Sequence, residues 1–170
     1  MVNQTLVNIQ DLEEEYNNFI LNILSLVLST IGDRGNPETS YAPFVMDEKS
    51  NFYIFVSSLA SHYNNLYKDK RAGVMLIEGE EKSENIFARK RAIYDCTVVP
   101  IKKESHEWDK IMIKFDKSAG QIMEILRALP DFNLLCLKPF SGKFIKGFGS
   151  AYELSGQNMN KLSHINPGKK

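Results

Sequence analysis

Tight-turn signals at short intervals constrain the fold of this chain more than any other feature. Asp33-Arg34-Gly35-Asn36 separates LVLSTIG, which is rich in β-branched residues, from the alternating stretch ETSYAPFVMD, and DEKSN precedes FYIFVSS. Such turns between apolar runs are typical of β-hairpins. Later strand-like stretches are AGVMLIEGE, AIYDCTVVPI, FNLLCLKPF and KFIKGFGSAYEL, and we predict a turn between the last two at Ser141-Gly142. About six antiparallel strands joined in this way predict a small barrel, whose closure leaves no exposed edge.

Helical patterns lie between these strands. Residues 9–21 place apolar side chains on one helical face and acids on the other. That face consists of Ile9, Leu12, Tyr16, Phe19 and Ile20. Residues 60–70 predict a short helix, and SENIFA predicts a helical turn capped by Ser83. HEWDKIMIKFDKSAGQIMEILRAL predicts one or two amphipathic helices, so the chain is mainly β with inserted helices.

The length of 170 residues suits one domain with one good core. We therefore treat residues 1–170 as a single domain, with an N-terminal helix in 1–22 and a C-terminal tail over 155–170. The tail, which is polar and contains Gly and Pro, is expected to lie over the surface or a partner subunit.

Charge and hydropathy exclude several classes of partner. The 21 basic and 21 acidic side chains leave no net charge, whereas a general nucleic-acid or membrane-surface binder needs a basic excess. The longest apolar run, FILNILSLVLSTIG, is too short and too polar to span a bilayer. We therefore expect neither a nucleic-acid partner nor a membrane partner.

The two cysteines, Cys96 and Cys136, lie in apolar strand-like segments without metal-ligand spacing. The N-terminus lacks the basic region of a signal peptide. We interpret both residues as core thiols of a protein in the reducing cytoplasm.

Three adjacent cations, Arg89, Lys90 and Arg91, precede a predicted strand in this otherwise neutral chain. Arginine presents a rigid fork of donors that suits phosphate or carboxylate, so the run is a candidate site for an anionic cofactor. Within a strand, Arg89 and Arg91 would share one face and Lys90 would point away. The alternative is a solvated charge run.

Two further stretches are candidates for ligand binding. In VSSLASHYNNL, a strand ends at Ser57 and Ser58 and leads into a helix containing His62. The free N–H groups at a helix start can hold a phosphate, although a serine there can also simply cap the helix. KFIKGFG carries two glycines beside two aromatics in a strand pattern, which marks either a flat ligand close to the backbone or a barrel corner.

No catalytic motif identifies a reaction. The histidines His62, His106 and His164 are too far apart in sequence for a local zinc motif, although a single histidine can ligate haem iron. The chain contains no nucleophile elbow, no GxxxxGK[ST] loop and no paired-carboxylate signature, so a hydrolase or nucleotidase has no support.

Taken together, the blocks SYAPF, FARKR and KGFG resemble the HugZ/HutZ-type haem-utilisation proteins, a branch of the pyridoxamine-phosphate-oxidase-like split barrels. The resemblance runs from about Leu26 to the C-terminus. It implies a six-stranded antiparallel split β-barrel that forms a homodimer with cofactor sites at the subunit interface. The implied function is haem binding in haem and iron utilisation, with or without oxidative haem degradation. The alternative is a flavin oxidoreductase with FMN in place of haem b.

The resemblance also implies roles for individual residues. In the haem branch, Arg91 lies on the distal side of the haem, and Asp131 of Pro130-Asp131-Phe132 supports the iron-ligating histidine of the partner subunit. The family places that histidine directly after a glycine near the C-terminus, where this chain has Lys169. A lysine ammonium has no free lone pair, which leaves His164 as the best available iron ligand.

In the flavin reading, the phosphate is held by the strand end and helix start together with Arg91, and the ring system lies against the SYAPF block. The phosphate-side residues are Ser57, Ser58, His62 and Arg91, and the ring lies against the backbone around Ser40, Tyr41, Ala42, Pro43 and Phe44. Arg89 is a further candidate for holding an anionic cofactor.

Overall fold

The computed structural model describes residues 8–165, and within them it contains eight strands and four α-helices. The strands are β1 (Ser25–Ile31), β2 (Pro37–Met46), β3 (Phe52–Ser57), β4 (Arg71–Ile77), β5 (Arg91–Ile101), β6 (Phe132–Gly147), β7 (Ser150–Ser155) and β8 (Lys161–His164). The helices are α1 (Ile9–Leu21), α2 (Ser61–Lys68), α3 (His106–Ala119) and α4 (Ile122–Ala128). Short 3₁₀ turns occupy Glu80–Lys82 and Ile86–Ala88.

Six strands close into an antiparallel barrel in the order β3-β2-β1-β4-β5-β6, with β6 pairing back onto β3. The predicted six-stranded barrel with inserted helices is therefore confirmed. The strand β6 spans 16 residues; its first half pairs with β3, its second half pairs with β7, and β5 runs along both. Beyond the barrel, β7 and β8 extend the sheet, so the segment expected to be a tail contains a short strand.

The predicted turn at Ser141-Gly142 is wrong, because β6 continues through both residues and the chain reverses at Phe148-Gly149. Gly142 is buried in mid-strand, where a Cβ atom would lie 2.9 Å from Tyr94 Cδ1 and 3.0 Å from Leu154 Cδ1. Glycine is present here because two side chains cross close to the backbone, a reason that the sequence cannot distinguish from a turn. Gly149, with φ 67°, adopts the left-handed conformation that the true turn requires.

Gly142→Ala should lower the free energy of unfolding by about 1–3 kcal/mol, since the added methyl group overlaps Tyr94 and Leu154. The matched control is Gly147→Ala on the same strand, where a Cβ atom would meet nothing within 4 Å. Urea denaturation of both variants checks the prediction. Equal free energies of unfolding for the two variants would mean that the side chains around Gly142 shift to accommodate the methyl group without strain.

The helix α1 lies against the barrel interior and buries Leu12, Tyr16 and Ile20, as its periodicity predicted, whereas Ile9 is exposed. The Tyr16 hydroxyl is hydrogen-bonded to the Tyr94 hydroxyl at 2.7 Å, and burial raises the pKa of Tyr16 to about 12. The protonated hydroxyl pair thus joins α1 to the centre of β5.

The helices α3 and α4 form a second core on the outside of β3 and β6. Ser105 caps α3 by accepting from Trp108 N–H. The turn Ile86–Ala88 is capped by Asn85, whose side chain accepts from Phe87 N–H, so the prediction of Ser83 as its cap is wrong. Between residues 8 and 165, no helix has the length and apolarity needed to cross a membrane.

Both cysteines are buried and free. Burial raises the pKa of Cys96 to about 12 and that of Cys136 to about 11. Both therefore remain protonated near neutral pH and behave as core residues, in agreement with the sequence analysis.

Candidate functional site

The cation run is largely neutralised by acids of the same chain. The Arg89 guanidinium lies 3.1 Å from Glu80 Oε1, and it donates to the Glu78 carbonyl at 2.5 Å. Lys90 Nζ lies 2.6 Å from Glu15 Oε1 on α1. Because Arg89 precedes β5, the expectation that it shares a strand face with Arg91 is wrong.

Glu15 is the acid that the sequence analysis missed at this place. It contacts both Lys90 and Lys146 at 2.6 Å. Burial alone would raise the pKa of Glu15, but hydrogen bonds from Lys146 and Lys90 outweigh it and hold the pKa below its ordinary value. The carboxylate therefore stays charged and ties α1 to the cation run. The acidic face of α1 was visible in the sequence, but its docking position was not.

Arg91 differs from its two neighbours in the run. It is the first residue of β5, where it lies between Ile77 of β4 and Ile145 of β6 in the ladder. Alternate residues of β5 are buried, so the half-buried Arg91 lies on the outer face of the barrel. Its guanidinium donates to the Arg89 carbonyl at 2.9 Å and forms no ion pair with any carboxylate within residues 8–165. Arg91 therefore carries a charge that is available to an external anion.

An apolar row crosses the outer face of four strands beside Arg91. In the ladder, Tyr41 pairs with Val27, Val27 with Met75, and Met75 with Ile93. Tyr41 is 70% exposed and Ile93 is 38% exposed, while the other two are half-buried. We call these four residues the outer row. Solvent-facing apolar residues arranged contiguously in this way mark an interaction surface.

The SYAPF block is divided between the two faces of β2. Tyr41 and Pro43 point outwards and are exposed, whereas Ala42 and Phe44 are buried in the barrel. Ser40 has the same orientation as Ala42, and its Oγ is buried without a hydrogen-bond partner in the described part of the chain. Only part of the predicted ring-side block can therefore contact a ligand at the outer face.

The pairing of β3 with β6 brings Ser57 and Ser58 directly beside Asp131. Ser57 Oγ donates to Asp131 Oδ2, and Ser58 N–H donates to the Asp131 carbonyl at 2.8 Å. Leu59 N–H donates to Ser57 Oγ at 3.0 Å, and Asn133 Nδ2 donates to the Asp131 carbonyl at 2.7 Å. A residue predicted to support haem thus contacts residues predicted to hold a flavin phosphate.

His62 lies in the first turn of α2, and its Nε2 atom is buried without a partner between residues 8 and 165. Burial lowers the pKa of His62, so the ring is neutral near pH 7. Buried polar atoms are nearly always hydrogen-bonded. The unpaired atoms of Ser40 and His62 therefore fit a site that a polar ligand or water completes.

His164 ends β8, where its ring meets Tyr152 edge to face at 5.3 Å between centroids. Its Nε2 atom lies 3.0 Å from the Gly149 carbonyl oxygen. Lys169, the position at which the resemblance expects a histidine, lies outside the described residues. Across residues 8–165, no three His, Cys, Asp or Glu side chains converge as a metal site.

Arg91 and Asp131 occupy opposite ends of the β5–β6 ladder. Arg91 is opposite Ile145, 14 positions from Asp131 along the chain, which corresponds to a strand path of about 45 Å. His164 pairs with Tyr152 and Tyr152 with Phe144, so His164 lies at the Arg91 end. One protomer therefore places the distal donor and the supporting carboxylate in separate regions.

Known proteins share both the sequence and the fold. The family model described as pyridoxamine 5'-phosphate oxidase matches residues 12–146. The chain is 34% identical over 157 residues to the haem oxygenase HutZ of Vibrio cholerae, covering 92% of this chain and 89% of that protein.

Two solved structures are similar over most of their length. A crystal structure of HutZ from Vibrio cholerae, described as a haem storage protein, has a TM-score of 0.72 and 32% identity, covering 75% of this chain and 89% of that one. A crystal structure of ChuZ from Campylobacter jejuni has a TM-score of 0.83 and 30% identity, covering 96% of this chain and 67% of that one.

Proposed function

Because the chain belongs to the pyridoxamine 5'-phosphate oxidase family, we propose that it binds haem b and serves haem and iron utilisation. The observation that carries the proposal is Arg91, an arginine without a carboxylate partner among the described residues, next to an exposed apolar row. Haem is a flat apolar ring with two carboxylates, so it matches both features of this surface. The descriptions of the relative HutZ, as a haem oxygenase and as a haem storage protein, agree with this choice.

Each feature of the outer face has a distinct task in this proposal. The outer row would lie against the apolar ring and exclude water from it, while Arg91 would donate hydrogen bonds to a haem carboxylate or, in the distal role that the resemblance implies, to a ligand at the iron. Bound haem supplies an iron centre at which oxidative ring opening can take place. Haem degradation and haem transport would use the same binding surface, so a measurement of haem turnover distinguishes the two activities.

We propose that the functional unit is a homodimer related by a two-fold axis. Such an interface uses the same patch of both subunits, in which one half of each patch contacts the other half of its partner's, and the outer row is the exposed apolar part of that patch. An antiparallel arrangement also brings the Arg91 end of one barrel towards the Asp131 end of the other. The separation of these residues within one chain supports a site shared between two subunits.

In this dimer, His164 is the proposed iron ligand and Asp131 of the other subunit supports it. Asp131 Oδ2 is bound by Ser57, which leaves Oδ1 to accept from the single ring N–H of a neutral imidazole. For one ring nitrogen to be free for iron while the other donates to Asp131, His164 would have to release the Gly149 carbonyl. We further propose a cytoplasmic location, which the two free buried thiols support.

FMN remains the second candidate because of the unpaired Nε2 atom of His62. His62 belongs to the set predicted to hold the flavin phosphate, whereas Ser40 Oγ lies on the Ala42 side of β2, away from a ligand on the outer face. The protein would then be a flavin oxidoreductase. A yellow preparation with a flavin absorbance band would favour this candidate.

Titration with haemin should produce a Soret shift that saturates at one haem per subunit. Arg91→Ala should weaken haem binding about tenfold or more, as expected for losing a charge-assisted hydrogen bond. The control is Arg34→Ala, which removes an exposed arginine in the β1–β2 turn. A wild-type protein that does not bind haemin but binds FMN tightly would overturn the haem proposal.

The iron ligand is tested in the same titration. His164→Ala should change the Soret position, and Lys169→His should tighten haem binding several-fold, since it supplies an imidazole where the family has one. If His164→Ala leaves the spectrum unchanged, the ligand assignment is wrong even though haem binds.

A further inference from the structure

We infer that Asp131 selects against phosphate-bearing ligands at the turn between β3 and α2, because its carboxylate binds the Ser57 hydroxyl and places a negative charge beside the turn. We call residues 57–62 the β3–α2 turn. The inference rests on the proposed function, since it explains why haem rather than FMN would occupy this member of the family. It assigns a specificity role to Asp131 that is separate from support of an iron ligand.

The β3–α2 turn has the groups that ordinarily attract an anion. The backbone N–H groups of Ser61 and His62 begin α2 and have no acceptor between residues 8 and 165. Free N–H groups and the positive end of the helix dipole favour negative charge. Ser57 adds a hydroxyl at the end of β3. Without a further acid, this turn would suit a phosphoryl group.

The hydrogen bonds show that the Ser57 hydroxyl is already used. Its oxygen accepts from Leu59 N–H, and a backbone N–H can only donate. The single hydroxyl hydrogen of Ser57 is therefore donated to Asp131 Oδ2 and is not left for an external ligand. Donors from Ser58 and Asn133 hold the Asp131 carbonyl at 2.8 and 2.7 Å, so the aspartate backbone is fixed as well. The carboxylate cannot move aside without breaking this arrangement.

The charge of Asp131 is not balanced by a basic side chain. None of the ion pairs formed within residues 8–165 includes Asp131. A phosphate dianion bound to the Ser57 hydroxyl of the β3–α2 turn would have to replace the Asp131 carboxylate that Ser57 now contacts, and two negative charges beside one hydroxyl repel each other. A neutral or cationic group that carries an N–H is instead attracted to this place, because Asp131 Oδ1 can accept a hydrogen bond from it.

Inorganic phosphate and FMN titrations of the full chain, by calorimetry and flavin fluorescence, test the inference without haem. Asp131→Asn keeps the shape and removes the charge, so it should bind both ligands about tenfold or more tightly than wild type. Ser57→Ala removes the hydroxyl but leaves the carboxylate, so it should show no gain. The matched control is Asp95→Asn, because Asp95 accepts from Ser141 Oγ at 2.5 Å in a similar pair on the outer face.

Two results would overturn the inference. The first is an Asp131→Asn variant, folded by circular dichroism, that binds phosphate and FMN no better than wild type. The second is an equal gain in Asp95→Asn, which would show a general effect of net charge. Haemin binding is measured separately on the same preparations. Failure of every form to bind haemin would reject the proposed function while the phosphate result still decided the role of Asp131.

Discussion

Replacing Ile93 with glutamate is expected to convert the protein from a dimer to a monomer and to weaken haem binding about a hundredfold or more. Ile93 lies next to Met75 in the outer row and two residues from Arg91 on the same face of β5. In a two-fold interface, one substitution introduces a carboxylate at two symmetry-related positions of the covered surface. Burying an unpaired charge is strongly unfavourable, so the dimer and any site shared across it should be lost together.

Sedimentation and haemin titration of the same preparations measure the two effects of Ile93→Glu. The control is Ile113→Glu on α3, which adds the same charge at an exposed isoleucine outside the outer row. The barrel should remain folded, because Ile93 is 38% exposed and lies on the outer face. A wild-type protein that sediments as a 19.4 kDa monomer at micromolar concentration would remove the shared-site proposal altogether.

Phe144→Ala should lower the free energy of unfolding by about 3–5 kcal/mol, the usual range for removing a fully buried aromatic ring. Phe144 has 0% exposure inside the barrel. Its ring lies edge to face with Tyr16 at 5.3 Å and 5.7 Å from the ring of Phe19, both on α1. The substitution therefore removes core volume and also the surface against which α1 packs.

Urea denaturation followed by circular dichroism measures this loss. The control is Phe148→Ala at the β6–β7 turn, where the ring is 71% exposed and its removal should change stability by no more than about 0.5 kcal/mol. A loss below about 1 kcal/mol for Phe144→Ala would mean that α1 contributes little to the barrel.

Local pattern was sufficient for the fold class and for most of the secondary structure, although it missed β8 and placed a turn inside β6. Alternation and β-branched residues located the six barrel strands, and periodicity located α1 with its buried face. The resemblance carried by SYAPF, FARKR and KGFG is confirmed by the family match over residues 12–146. These signals are readable because strand and helix periods are properties of neighbouring residues.

The site depends on contacts that are distant in sequence. Lys90 is neutralised by Glu15, 75 positions earlier, and Ser57 bonds to Asp131, 74 positions later. Neither pair has a local signature, because the partners meet only after α1 docks and β3 registers with β6. Of the three cations at 89–91, Arg89 and Lys90 therefore form ion pairs with acids of the same chain, whereas Arg91 is available to an external anion.

Gly142 shows most directly which features follow from local sequence and which depend on tertiary packing. In the sequence, Ser141-Gly142 has the composition of a turn, and turns and close backbone approaches both select glycine. Only the packing of Tyr94 and Leu154 against β6 decides between them. The sequence by itself determined where the helices and the barrel strands lie, since that depends on local periodicity, but it did not determine the continuity of β6 or the presence of β8. The tertiary structure decided which charges are paired, which glycine is a turn and which face stays exposed, because each depends on the register between strands far apart in the chain.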